Sequence, residues 1–158
     1  MKKYTILALF LCLSIFSVMF ASCQKEEKVP PAEVSSLYDE FLRILAVGPE
    51  EKVDMYLYYD KPEYKQLSEG AFEPSVESRI LRWEELNNSL WSVTTYIRTE
   101  NQEEGIDCFH FVGIVDGSWK VMIGKHNIPD DLSAGLDLSR FSYEDELPME
   151  DIQFEPVQ

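Results

Sequence analysis

The dipeptide Asp116-Gly117 constrains this chain more than any other feature. It stands between two runs rich in β-branched and aromatic residues, Ile106–Val115 and 118–124. An Asp-Gly pair accepts the positive φ angles that a two-residue hairpin turn requires. The two runs therefore read as antiparallel strands in a fixed register, with Ile114 opposite Trp119, Val112 opposite Val121 and His110 opposite Ile123. Leu90–Thr99 has the same composition and reads as a preceding strand. Its connection, residues 100–105, is longer and sets the register less tightly. With Thr99 near Ile106, the side chains of Trp91, Val93, Thr95 and Ile97 fall on the face that carries Val112 and His110.

That face is apolar except for Thr95 and His110. The opposite face carries Tyr96, Phe109, Phe111, Val115 and Met122 among Arg98, Asp107 and Lys120. A sheet with apolar residues on both faces has more to bury than helices on one side can cover. Phe109, Phe111 and Met122 are accordingly expected to form an interface, with a homodimer through the sheet face as the simplest case.

Upstream of the strands the period changes. Val34, Leu37, Phe41, Ile44 and Leu45 recur at spacings of three and four, which predicts an amphipathic helix from Ala32 to about Val47, closed by Gly48. Pro49-Glu50-Glu51 has the composition of a second helix start. Val53, Tyr56, Leu57 and Tyr64 would supply its buried face, and Pro62 would kink or divide it. A third helix is expected from about Pro74 to Asn87, burying Val76, Ile80, Trp83 and Leu86. After Asn127, residues 128–132 predict a short helical turn. The acidic stretch from about Ser133 either lies along the domain or has no fixed structure.

The beginning of the chain is of another kind. Met1-Lys2-Lys3 precedes a run, residues 4–22, without a charged side chain, the pattern of a secretory signal. The run ends in Phe20-Ala21-Ser22-Cys23, which resembles the lipobox of bacterial lipoproteins in its small-small-Cys core and departs from it at Phe20, where an aliphatic residue is usual. The resemblance implies a diacylglyceryl group on Cys23, cleavage before it, and residues 24–158 held by lipid on a bacterial membrane, in the cell envelope outside the cytoplasm. Two or more acyl chains give stable attachment, at about 0.8 kcal/mol for each buried methylene. Gln24 lacks the Asp that resembles an inner-membrane retention signal in some two-membrane bacteria. The choice between inner and outer membrane stays open. Polar residues 24–31, with two prolines, read as a tether.

Charge and cysteine usage exclude several classes. The chain has 29 acidic and 14 basic side chains, a net of −15, and cleavage before Cys23 would remove Lys2 and Lys3 but no acid. Such a chain repels nucleic acid and anionic lipid head groups. Of three cysteines, Cys12 would leave with the signal and Cys23 would carry lipid, so Cys108 has no disulfide partner and reads as a buried thiol. Two histidines, His110 and His126, offer no zinc spacing. There is no calcium-binding Asp loop, nucleophile elbow or glycine-rich phosphate loop. No metal and no cofactor are expected.

Helices first, then an antiparallel meander ending in Gly117-Ser118-Trp119-Lys120-Val121, is an order that resembles the nuclear transport factor two-like superfamily. The resemblance covers about residues 32–128 and implies an α+β fold, with N-terminal helices closing over a curved antiparallel sheet as a cone. The expected organisation is a signal at 1–22, the lipidated Cys and tether at 23–31, the cone domain at 32–128 and an acidic extension at 129–158. Enzymatic members of that superfamily place an acid or base in the cone. Here Thr95 and His110, with Tyr56 and Tyr59 from the second helix, are the expected pocket residues. No Asp or Glu falls on the inward register of these strands, and a lone His on an apolar face is ordinarily a hydrogen-bonded core residue. The leading expectation is therefore a non-catalytic, lipid-anchored binding or interaction module for an envelope partner or small ligand. The alternative is an isomerase- or cyclase-type enzyme using His110 as base. A third option is a sensor or accessory subunit.

Overall fold

The computed structural model describes residues 28–48, 50–68 and 74–142. The expected signal and lipidated Cys23, and residues 143–158 of the acidic stretch, lie outside the described residues.

Helix α1 spans Ala32–Val47. It begins after Pro30-Pro31, where the Pro31 carbonyl accepts the first free amides, those of Val34 at 3.0 Å and Ser35 at 3.1 Å. It ends at Gly48, which is extended (φ −90°, ψ 159°) rather than left-handed; a residue preceding proline is driven out of the helical region. The buried stripe is Val34, Tyr38, Phe41, Leu42, Ile44 and Leu45. Tyr38 takes the place expected for Leu37, which is only half-buried.

The chain is α+β, with this helix packed on a four-stranded antiparallel sheet among the described residues. The sheet comprises β1 (Ser75–Asn87), β2 (Leu90–Thr99), β3 (Ile106–Val115) and β4 (Ser118–Ile123), in the order β1-β2-β3-β4. The β3–β4 register pairs Ile114 with Trp119, Val112 with Val121 and His110 with Ile123, as the Asp116-Gly117 turn predicts. Both turn residues have positive φ, 51° and 76°. Strand β2 meets β3 through Ile97 opposite Ile106, two positions from the expected Thr99. A shift of two preserves the alternation, so Trp91, Val93, Thr95 and Ile97 keep their face.

Two of the three expected helices are corrected. The second, α2, is only Glu50–Asp54. The chain then runs extended, and residues 56–58 cover the outer edge of β4 through Tyr58 N–H to Val121 O at 2.8 Å and Val121 N–H to Tyr56 O at 2.9 Å. Pro62 opens a 3-10 helix, Pro62–Ser68, rather than dividing an α-helix. The third expected helix is strand β1. Its register against β2 shifts three times, and one shift, between Ile80 and Arg82, leaves Leu81 as an extra residue. A bulge breaks the two-residue alternation, so the half-buried, helix-facing residues Ile80 and Trp83 stand three apart and imitate helical spacing. Val76, expected to be buried, is 51 % exposed.

The sheet is covered on both faces by its own chain. On one face α1, Val53 and Leu57 pack on Trp91, Val93, Ile97, Val112 and Val121. On the other, Leu90, Phe111 and Met122 form a second core with Ile128 and Phe141, bordered by Leu132, Leu136 and Leu138. Short helix α3, Asp130–Ser133, is the turn expected after Asn127. Residues 128–141 are thus part of the folded unit and not an appendage to it.

Gly113 marks how close this cover lies. A Cβ there would stand 2.8 Å from Met122 Cε, 3.0 Å from Leu90 Cδ1 and 3.1 Å from Leu132 Cδ1. Gly113→Val is expected to lower stability by about 1–3 kcal/mol in urea denaturation through overpacking. An unchanged midpoint would mean that Leu132 does not press on β3.

Candidate functional site

Two places hold polar side chains in unusual surroundings. The first is the interior beneath α1. Thr95 and His110 lie on adjacent strands, both buried, on an otherwise apolar face. A buried hydroxyl and imidazole need partners, and one group serves both. The Tyr38 hydroxyl is 2.7 Å from Thr95 Oγ1 and 2.6 Å from His110 Nδ1. The rings around them close the space. Phe41 meets His110 edge-on at 5.7 Å, Trp83 meets Tyr38 at 5.4 Å, and Trp91 meets Trp83 at 6.5 Å. Tyr38 and Phe41 are fully buried.

The four residues expected to share a pocket are therefore divided. Thr95 and His110 come together, while Tyr56 and Tyr59 turn elsewhere: the Tyr59 hydroxyl donates to Asp54 at 3.1 Å and that of Tyr56 approaches Glu40 at 3.5 Å. Tyr38 is the member that sequence reasoning missed. Its signal was available, since position 38 lies four after Val34 and three before Phe41 on the α1 stripe.

Burial alone pushes the His110 imidazole down to about 4, from an ordinary 6.5. It is neutral at physiological pH, and no carboxylate is among its hydrogen-bond partners in the described residues. Cys108, half-buried and outside any disulfide, has its Sγ 3.9 Å from the Ile106 carbonyl. No group of three or more His, Cys, Asp or Glu side chains among the described residues is placed to hold a metal ion.

The second place is the opposite sheet face. Phe111 and Met122, expected at an interface, are fully buried under the C-terminal segment, and Phe109 packs edge-on to Phe141 at 5.8 Å. The apolar surplus of that face is covered by residues 128–141, so these three do not offer a free dimer surface. Beside this cover lies a cleft in two adjoining parts, about 400 Å³ and about 130 Å³, which share Glu84 and Arg140. Glu84 pairs with Arg140 at 2.8 Å and Arg82 at 3.3 Å. Further along, Arg98 pairs with Glu77 at 3.4 Å, and the Arg79 guanidinium stacks 5.1 Å over the Tyr96 ring. Four of the five arginines in the sequence are thereby gathered on one face. They were not singled out from sequence, because three of them lie on or opposite β1, which reads there as a helix.

No protein-family model, curated protein or solved structure matches the chain.

The sign of the His110 contribution follows from its lowered value. Between about 6.5 and about 4 the unfolded chain binds a proton that the folded chain refuses. Stability from this group is full above 6.5 and falls by roughly 3 kcal/mol as pH drops to 4. His110→Gln is expected to flatten that part of the pH dependence in chemical denaturation. Tyr38→Phe is expected to cost about 1–3 kcal/mol at pH 7 by leaving Thr95 and His110 unsatisfied. Equal pH slopes for wild type and His110→Gln would contradict this placement of the imidazole.

Proposed function

We propose that the chain is an exported bacterial lipoprotein, lipidated at Cys23, whose α+β domain is a non-catalytic binding or interaction module in the cell envelope. The observation that supports the non-catalytic reading is the filled interior. A general base must reach its substrate and titrate near the working pH, whereas His110 is 5 % exposed, pushed down to about 4 and bonded to Tyr38. The isomerase or cyclase alternative needs an open space in front of Thr95 and His110, and there the rings of Tyr38, Phe41 and Trp83 pack instead.

The same observation informs the family reading. A helix leading into an antiparallel meander is the order of a nuclear transport factor two-like cone, and we infer a cone whose cavity is closed by Tyr38. Among the described residues one long helix, rather than three, covers this sheet, and residues 128–141 cover its other face. Any partner then binds on the outside.

The lipid anchor rests on Lys2, Lys3, the uncharged run 4–22 and Ala21-Ser22-Cys23. No helix among the described residues is long and apolar enough to cross a membrane. Mass spectrometry of the full chain expressed in a lipoprotein-processing bacterium is expected to find a mature N-terminus at Cys23 carrying acyl chains. Cys23→Ser should accumulate as the uncut precursor. A mature protein cut elsewhere and free of lipid would overturn the anchor.

A further inference from the structure

We propose that the outer edge of β1, with the arginine row beside it, docks an extended acidic segment of a partner protein as an added strand; this deepens the reading of the chain as a binding module and rests on it.

The two sheet edges differ. Residues 56–58 hydrogen-bond along β4, whereas no described strand pairs with the outer side of β1. Residues 76–79, 81 and 82 are exposed, with Val76 at 51 % and Leu81 at 43 %. An open edge presents main-chain donors and acceptors at the spacing of another strand. Length adds to this: β1 has 13 residues, against six in β4.

Charge selects what the edge accepts. Glu77, Arg79, Arg82 and Glu84 pair with Arg98, Tyr96, Thr94 and Ser92, so they form one row on the face of the cleft. Arg98 and Arg140 flank that row. Arg79 has the Tyr96 ring as its partner and no carboxylate among the described residues, while Arg82 shares Glu84 with Arg140. Arg79 is therefore the guanidinium of this row without a carboxylate among the described residues and Arg82 shares one, although Asp107 and Asp137 also stand on this face of a chain of net charge −15. An incoming strand with a carboxylate at every second residue, about 6.8 Å apart, would face Arg79 and Arg82. Bulges and charges along the edge work against indiscriminate strand pairing, so the charge match at Arg79 and Arg82 has to select the partner. A second copy is disfavoured as well. The row reads acid, base, base, acid, so two β1 strands paired antiparallel about its centre set Arg79 against Arg82 and Glu77 against Glu84.

The test titrates the full chain with a fluorescein-labelled peptide of alternating Glu and Thr, read by fluorescence polarisation. Three comparisons accompany it: a Lys-Thr counterpart, the same acidic peptide N-methylated at alternate residues, and the protein variants Arg79→Glu with Arg82→Glu and, separately, Arg43→Glu. The proposal expects saturable binding of the acidic peptide alone. Affinity should fall about tenfold or more with the paired β1 substitutions and with N-methylation, and by about threefold or less with Arg43→Glu on the helix side. Circular dichroism of each variant separates lost binding from lost folding. Absence of binding overturns the proposal, and so does equal affinity for the N-methylated peptide, which would mean charge adsorption without strand addition. Binding only after truncation at Ser142 would give the edge to the chain's own C-terminal residues and also overturn an external partner. None of these results touches the filled interior, which the His110 measurements test separately.

Discussion

One hydroxyl group decides what the interior of this protein is. The sheet face under α1 is apolar but for Thr95 and His110, which would be costly to bury alone. Tyr38 reaches both from the helix, at 2.7 Å and 2.6 Å, and its own ring packs against Phe41 and Trp83. The bond therefore does two things at once. It satisfies the polar pair, and it ties α1 to β2 and β3 where the Phe41 and Trp83 rings fill the space between helix and sheet. Burial among these rings keeps the imidazole neutral.

A second constraint shapes that outside. The sheet carries large apolar residues on both faces, so a single helical layer leaves Phe111 and Met122 uncovered. The chain solves this internally: Ile128, Leu132, Leu136, Leu138 and Phe141 return across the opposite face, and Gly113 lets them lie close. What remains open is the β1 end of that face, where the arginines stand. The C-terminal cover thus positions Arg140 over Glu84 and forms one wall of the cleft.

How far the sequence disclosed this depends on whether local periodicity and final geometry agree. The Asp116-Gly117 turn is a local instruction, and the β3–β4 register follows it residue for residue. Strands β2 and β3 pair two positions from expectation, yet parity alone sets which side chains face the helix, so Thr95 and His110 share that face although Thr95 pairs with Cys108 and His110 with Val93. Strand β1 was hidden because its bulge puts Ile80 and Trp83 three residues apart, the step that elsewhere signals a helix. Tyr38 was overlooked because Leu37 is the more apolar neighbour, although the three-and-four stripe passes through 38. The apolar residues at 132, 136, 138 and 141 were masked by the acids among them. Their spacing is neither that of a long helix nor that of a strand, and only the uncovered sheet face explains where they go.

The most direct test of the closed interior is to follow the His110 ring nitrogens by NMR from pH 3.5 to 8 in the folded protein. A neutral imidazole in a single tautomer down to about pH 5, with titration near 4, is the predicted result. Titration near 6.5 with two exchanging tautomers would contradict it, and would return the space in front of Thr95 and His110 to consideration as an open, solvent-reached site.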